Sequence, residues 1–196
     1  MTTPEKRLEL VHFQLTRKCN LRCHFCGQWG DKGFFSGNTA PELTLEEWFQ
    51  VIDSLVEYRD RTGDSPDIIL WGGEPLMYPH FELVVKRLRR YGFNLGLITN
   101  GVMLNLHRDL IGNQFKVIYV SVDGNREMHD RVRGAGVFDK VAANIAELRE
   151  YPVIINLMSV ISPDNVARLP EIPLLLEPLQ PDKLLLQKLI YLTPAE

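Results

Sequence analysis

The chain has 196 residues, of which 45% are hydrophobic and 24% are charged, the composition of an ordinary globular protein. Its 22 basic and 25 acidic residues give a formal net charge of -3, which provides no electrostatic indication of nucleic acid as a partner. No apolar run approaches membrane-spanning length and the N-terminal residues lack a cleavable signal pattern, so we expect a cytoplasmic protein without membrane association. The length suffices for one sizeable core, so a single domain over residues 1–196 is predicted.

Short apolar runs alternate with longer amphipathic stretches along the chain, a pattern typical of strand–helix units around a buried parallel sheet. About six such units are predicted. The predicted strands are residues 10–15, 67–71, 94–98, 117–122, 153–160 and 183–189.

The predicted helices fall between these strands. Thr44 and Glu47 have the spacing of a capping box, which predicts a helix from residue 44 to about residue 58. Further helices are predicted at about residues 81–91 and 138–150. Prolines between the last two strands predict a short or broken helix there, because proline removes a backbone donor and clashes with the preceding turn.

All three cysteines of the chain fall in one segment, Cys19-Asn20-Leu21-Arg22-Cys23-His24-Phe25-Cys26, just after the first predicted strand. An odd number at close spacing suits metal or cluster ligation in a reducing compartment better than a disulfide framework. Three thiolates on a four-iron cubane leave one iron without a protein ligand, open to a small molecule. The alternatives are a zinc site completed by His12 or His24, or free thiols.

Glycine-rich and polar segments lie at or just after the carboxyl ends of the next three predicted strands. They are Gly72-Gly73-Glu74-Pro75, Thr99-Asn100-Gly101 and Ser121-Val122-Asp123-Gly124. The carboxyl ends of parallel strands meet at one edge of a sheet, where ligands bind, so these segments are predicted to surround one site with the cysteines. Each segment alone is equally compatible with a turn.

Two of these segments suggest specific contacts to a ligand. Glycines at 72 and 73 let backbone carbonyls approach a ligand ammonium closely, and Glu74 adds a carboxylate of the matching sign; the alternative is a turn stiffened by Pro75. Ser121 and Asp123 stand two residues apart on a strand and therefore point to one face.

At these positions the chain resembles the radical S-adenosylmethionine (radical SAM) superfamily, whose signature is CxxxCx(aromatic)C after the first strand. Phe25 supplies the aromatic residue. The segment from Gly72 is similar to the family's motif for the methionine amino group of SAM, and the segment from Ser121 to its fourth-strand segment. Residues 129–134 are similar to a run in the branch that includes the molybdenum-cofactor cyclase, the anaerobic sulfatase-maturing enzymes and peptide-modifying relatives.

This resemblance covers residues 10–189 and implies an α/β fold, an incomplete parallel (β/α)6 TIM-like barrel open on one side. It implies a 4Fe-4S cluster held by Cys19, Cys23 and Cys26. It also implies a site for S-adenosylmethionine, for which the candidate residues are Phe25, Gly72, Gly73, Glu74, Asn100, Ser121, Asp123 and Arg133. For Arg133 an exposed ion pair is the alternative role.

The resemblance implies reductive cleavage of SAM to a 5′-deoxyadenosyl radical that abstracts hydrogen from a peptide or small-molecule substrate. A one-electron donor such as flavodoxin or ferredoxin is expected as a partner. The cysteine-rich C-terminal extension of many relatives is missing, so we expect a truncated or naturally reduced radical SAM core that holds one cluster. The alternatives are a degenerate radical SAM scaffold that works as a cluster- or SAM-binding partner protein, and a non-catalytic zinc or thiol protein.

Overall fold

Six parallel strands form one sheet in the computed structural model, which describes residues 7–28, 33–34 and 41–189. The strands are β1 Leu10–Thr16, β2 Asp67–Gly72, β3 Leu95–Thr99, β4 Val117–Ser121, β5 Ile154–Ile161 and β6 Lys183–Lys188. They pair in chain order from β1 to β6, and all five pairings are parallel. Every strand boundary lies within one residue of its predicted position, and the predicted α/β fold with six parallel strands is confirmed.

Helices connect successive strands on one side of this sheet. They are α1 Leu45–Thr62, α2 Phe81–Arg90, α3 Arg108–Gln114, α4 Arg126–Arg133, α5 Val137–Leu148 and α6 Ile172–Leu176. Short 3-10 turns lie at Pro75–Met77, Leu104–His107, Val166–Glu171 and Glu177–Leu179. The last connection is broken into short pieces as its prolines predict. Within the described parts of the chain, none of the helices is both long and apolar enough to cross a membrane.

The predicted capping box at the start of α1 is confirmed. The Glu47 amide donates to the Thr44 hydroxyl at 3.2 Å, and the Thr44 amide donates to the Glu47 carboxylate at 2.8 Å. The predicted end near residue 58 is too early, because the helix runs to Thr62 and Gly63 closes it in the left-handed conformation with φ of 79°. The Gly63 amide donates to the carbonyl oxygen of Arg59, which is the usual glycine-based helix end.

The two faces of the sheet have different surroundings, since side chains alternate along each strand. One face packs against the helices and forms the main core. Its fully buried side chains include Leu15, Ile68, Leu70, Leu97, Ile118, Val120, Ile155 and Leu157. The other face is concave and lines a cavity of about 510 Å³, to which His12, Ile69, Ile98, Tyr119, Met158 and Leu185 contribute. The cavity extends to the amino ends of β1 to β4, where Leu10, Asp67, Leu95 and Val117 line it.

Candidate functional site

The cysteine loop begins at the carboxyl end of β1. It contacts Asn100 after β3 and Val132 of α4. The Cys26 amide donates to the carbonyl oxygen of Cys23 at 3.0 Å, and the His24 amide donates to the carbonyl oxygen of Val132 at 3.1 Å. The first bond forms the turn and the second fastens the loop to α4. No disulfide bond involves Cys19, Cys23 or Cys26, and the three side chains together line a cavity of about 120 Å³ that Gly73 also lines.

The two glycines after β2 are packed against the backbone that leads into this loop. The Gly73 amide donates to the carbonyl oxygen of Thr16 at 2.8 Å, and the Glu74 amide donates to that of Lys18 at 2.7 Å. A Cβ atom at position 72 would lie 2.4 Å from the Thr16 oxygen, and one at 73 would lie 2.3 Å from the Lys18 oxygen. Both positions therefore need glycine for chain packing, a reason additional to the ligand access predicted from the sequence.

Glu74 is completely buried and its carboxylate is surrounded by protein donors. It accepts hydrogen bonds from the Thr99 hydroxyl and the Asn100 amide, both at 2.8 Å, and from the Leu76 amide at 3.2 Å. Burial raises the pKa of Glu74 from 4.5 to about 7, although these three donors act in the opposite direction. The carboxylate thus joins the ends of β2 and β3; its role toward a methionine amine stays a prediction.

Replacing Glu74 with glutamine is expected to remove a pH dependence from the stability of the metal-free chain. The folded chain holds this proton more tightly than the unfolded chain, because the pKa is about 7 rather than 4.5. The resulting stabilisation is fully present below pH 4.5 and is lost as pH rises through 7, by about 2 to 3 kcal/mol between about pH 5 and 8. Urea unfolding of both proteins across this range measures the difference. Stability curves that stay parallel would contradict the expectation.

Asn100 reaches from the end of β3 to the cysteine loop. Its side-chain nitrogen donates to the side-chain oxygen of Asn20 at 2.7 Å and approaches the Cys19 sulfur at 3.8 Å. The backbone amide of Leu21 donates to the same sulfur at 3.4 Å. The side-chain amide of Asn100 therefore helps to position Cys19. The predicted contact of Asn100 with SAM stays a prediction.

Asp123 and Arg133 form a buried ion pair beside the loop. Arg133 Nε lies 2.6 Å from Asp123 Oδ2, and only 7% and 3% of the Arg133 and Asp123 side chains are exposed. The second carboxylate oxygen of Asp123 accepts a hydrogen bond from the Val160 amide at 2.9 Å. The alternative of an exposed ion pair for Arg133 is therefore wrong. The guanidinium lies on the ring of Phe25, 5.7 Å from its centre, and 3.9 Å from the Cys23 sulfur.

Ser121 is the last residue of β4 and pairs with Met158 of β5. Tyr119, two residues earlier, lines the concave cavity, so the strand period places Ser121 on the same face. The Ser121 side chain is half-buried, and its hydroxyl has no hydrogen-bond partner among the residues that the structure describes. It is therefore available to a ligand at the rim.

Two further residues support the rim although no role was predicted for them from the sequence. His129 is fully buried, and its Nδ1 accepts a hydrogen bond from the Asp123 amide at 3.3 Å; burial lowers its pKa to about 4, which keeps the ring neutral. Asn165 donates to the carbonyl oxygen of Val160 at 2.7 Å. His129 lies in a polar run that the sequence marks, whereas Asn165 sits in an ordinary turn that carries no such signal.

The donor set around the small cavity fits an iron–sulfur cluster. Three thiols converge on one cavity, and a buried guanidinium beside Cys23 offers positive charge to an anionic group. Burial raises the pKa of the Cys19 and Cys23 thiols, so ligation has to displace their protons. Across residues 7–28, 33–34 and 41–189, no three His, Cys, Asp or Glu side chains lie close enough together to hold one metal ion between them. Thiolates that bind separate irons of a cubane need no such common centre.

Comparison with known proteins gives consistent matches. The family model of the radical SAM superfamily matches residues 13–173. Fe-coproporphyrin III synthase of Methanosarcina barkeri is 30% identical over 186 residues, which are 93% of this chain and 44% of that protein. Probable GTP 3′,8-cyclase of Thermococcus kodakarensis is 32% identical over 151 residues, 75% of this chain and 46% of that protein.

The solved structure of native anSMEcpe with bound AdoMet and the Kp18Cys peptide has the same fold, with a TM-score of 0.76 at 19% identity. The match covers 94% of this chain and 52% of that one. The chain thus spans about half the length of the proteins it matches.

Proposed function

The chain belongs to the radical SAM superfamily, and from this membership we propose that it carries a 4Fe-4S cluster and cleaves S-adenosylmethionine reductively to act on a peptide or small-molecule substrate. One observation carries the proposal. Cys19, Cys23 and Cys26, the only thiols in the chain, line a single cavity at the carboxyl edge of the sheet, and Gly73 of the second rim segment lines it with them.

The three cysteines would hold the cluster through one thiolate each, which leaves one iron for SAM. When both were bound and the donor had supplied one electron, they would provide a 5′-deoxyadenosyl radical, with methionine as the second product, for removal of a hydrogen atom from the substrate. The chain positions the ligands: Asn100 orients Cys19, while Arg133 and Phe25 pack beside Cys23. A one-electron donor such as flavodoxin or ferredoxin is the partner that this chemistry requires.

The residues proposed to contact SAM differ in whether their polar groups already form hydrogen bonds within the protein. Gly73 lines the cysteine cavity, and the Ser121 hydroxyl is uncommitted within the described part of the chain, so both support a direct contact. Glu74 and Asp123 already accept hydrogen bonds from several protein groups. They would act mainly by fixing the rim around SAM.

The substrate would occupy the concave cavity below the rim. The lining includes apolar side chains from all six strands, and its charged residues, Glu9, Asp67 and Lys116, lie at the amino ends of the strands. Trp71 Nε1 and Asn156 Oδ1 are buried without partners among the described residues. The strand period places both residues on the cavity face. These features favour a substrate with an apolar body and a few hydrogen-bonding groups over a nucleoside triphosphate, which needs several cations.

The test is anaerobic reconstitution of the full chain with iron and sulfide, followed by reduction in the presence of SAM and chromatographic detection of 5′-deoxyadenosine. We expect a brown 4Fe-4S protein that forms this product, and a Cys23→Ala variant that does not. A stable cluster without cleavage of SAM would contradict the proposed enzymatic activity and favour a cluster- or SAM-binding partner protein with the same fold. A colourless protein that binds zinc and no cluster would contradict both.

A further inference from the structure

Arg133 is the last residue of α4, and its side chain contacts both Asp123, just after β4, and one particular cysteine. Its Nε donates to Asp123 at 2.6 Å, and its Nη1 lies 3.9 Å from the Cys23 sulfur. Sulfur is larger than oxygen, so this separation is still within contact for a weak hydrogen bond to a thiolate. The side chain is 7% exposed, and its positive charge is therefore poorly screened by solvent.

The surroundings of Cys19 are different. Its sulfur receives the uncharged donors of Leu21 and Asn100. Arg22 also lies on the loop, but it is exposed and its Nη1 donates to the carbonyl oxygens of Cys19 and Leu21. Solvent screens such a charge far more than it screens a buried one.

Several neighbouring groups hold the Arg133 guanidinium in place. Asp123 is held by the Val160 amide through one carboxylate oxygen, and its own amide donates to His129. The Phe25 ring covers the guanidinium from the cysteine loop. The planar guanidinium can serve Asp123 and Cys23 at the same time, which the single ammonium of lysine does less well.

We propose that Arg133 tunes the reduction potential of the cluster held by Cys23, through a buried positive charge that Asp123 fixes beside the thiolate. The inference rests on the proposed cluster. Reduction by one electron from the external donor adds a negative charge to the cluster, so a fixed cation and a hydrogen bond to a ligand sulfur stabilise the reduced form more than the oxidised form. Arg133 therefore makes the cluster easier to reduce.

The experiment is a redox titration of the reconstituted full chain without SAM, monitored by electron paramagnetic resonance. The main variant combines Arg133→Gln with Asp123→Asn, which removes both charges together and leaves a neutral hydrogen-bonded pair in the same space. We expect about a tenfold lower equilibrium constant for one-electron reduction, which is about 59 mV in midpoint potential. Arg133→Lys keeps the charge and should fall between this variant and the wild type.

Arg131→Gln is the matched control, because Arg131 is on the same helix but is exposed and pairs with Glu127 at 2.8 Å. Its potential should equal that of the wild type. A double variant with an intact cluster and an unchanged potential would overturn the inference while leaving the cluster proposal in place. If the double variant binds no cluster, Arg133→Gln alone decides, because it removes the charge, and a wild-type potential in that protein overturns the inference. A wild type that binds no cluster overturns the proposed function itself.

Discussion

Gly73→Ala is expected to destabilise the chain by about 3 kcal/mol and to prevent formation of the cysteine site. The added Cβ would lie 2.3 Å from the Lys18 carbonyl oxygen and 2.6 Å from that of Arg17. Both contacts are to backbone, so no side-chain rotation relieves them. The chain segment that leads into Cys19 must move, and the bonds from Gly73 to Thr16 and from Glu74 to Lys18 move with it.

Urea unfolding and the iron content after anaerobic reconstitution measure these two effects of Gly73→Ala. Gly63→Ala is the control, because a Cβ at Gly63 meets nothing within 4 Å and the cost is limited to its φ of 79°. We expect that control to lose about 1 kcal/mol and to bind iron normally. Equal stability losses for the two variants, with full iron binding in both, would show that the strand end and the cysteine loop are not locked together at Gly73.

Asp123→Ala is expected to destabilise the chain by about 3 to 5 kcal/mol, because it leaves the Arg133 charge buried without its counter-ion. The Val160 amide loses its acceptor in the same change. Arg126 and Asp139 offer a matched comparison, since their nitrogen–oxygen distance is also 2.6 Å but 67% and 54% of the two side chains are exposed.

Asp139→Ala is therefore expected to cost less than about 1 kcal/mol, because solvent already screens that pair. Urea unfolding of the two alanine variants beside the wild type measures the contrast. Similar decreases in the free energy of unfolding for Asp123→Ala and Asp139→Ala would mean that burial does not determine how much the Asp123–Arg133 pair contributes to stability.

Much of the fold follows from local patterns in the sequence. Alternation of short apolar runs with amphipathic stretches predicts six parallel strands, and the structure has them within one residue of their predicted ends. The predicted end of α1 near residue 58 is too early although the sequence carries the helix-ending signal, because Arg59 and Arg61 lie in the last turn and Gly63 follows in a left-handed conformation.

The sequence by itself determined the chemistry that the rim can offer. Cysteine spacing and the segments that follow the first four strands identify the thiols and the polar groups, because residue type and the parallel topology suffice to bring them to one edge of a sheet. Family membership then connects this set to SAM and a cluster.

Only the tertiary structure decided how each polar group is used. Glu74 is fully buried among three donors, and Arg133 pairs with Asp123 and approaches Cys23 instead of facing solvent. Such roles depend on burial and on distances between residues that are up to 110 positions apart in the chain. The interaction energy between two charges depends strongly on how far they are buried, because burial lowers the effective dielectric constant. The sequence therefore identifies the charged residues, and the packing determines how strongly they interact.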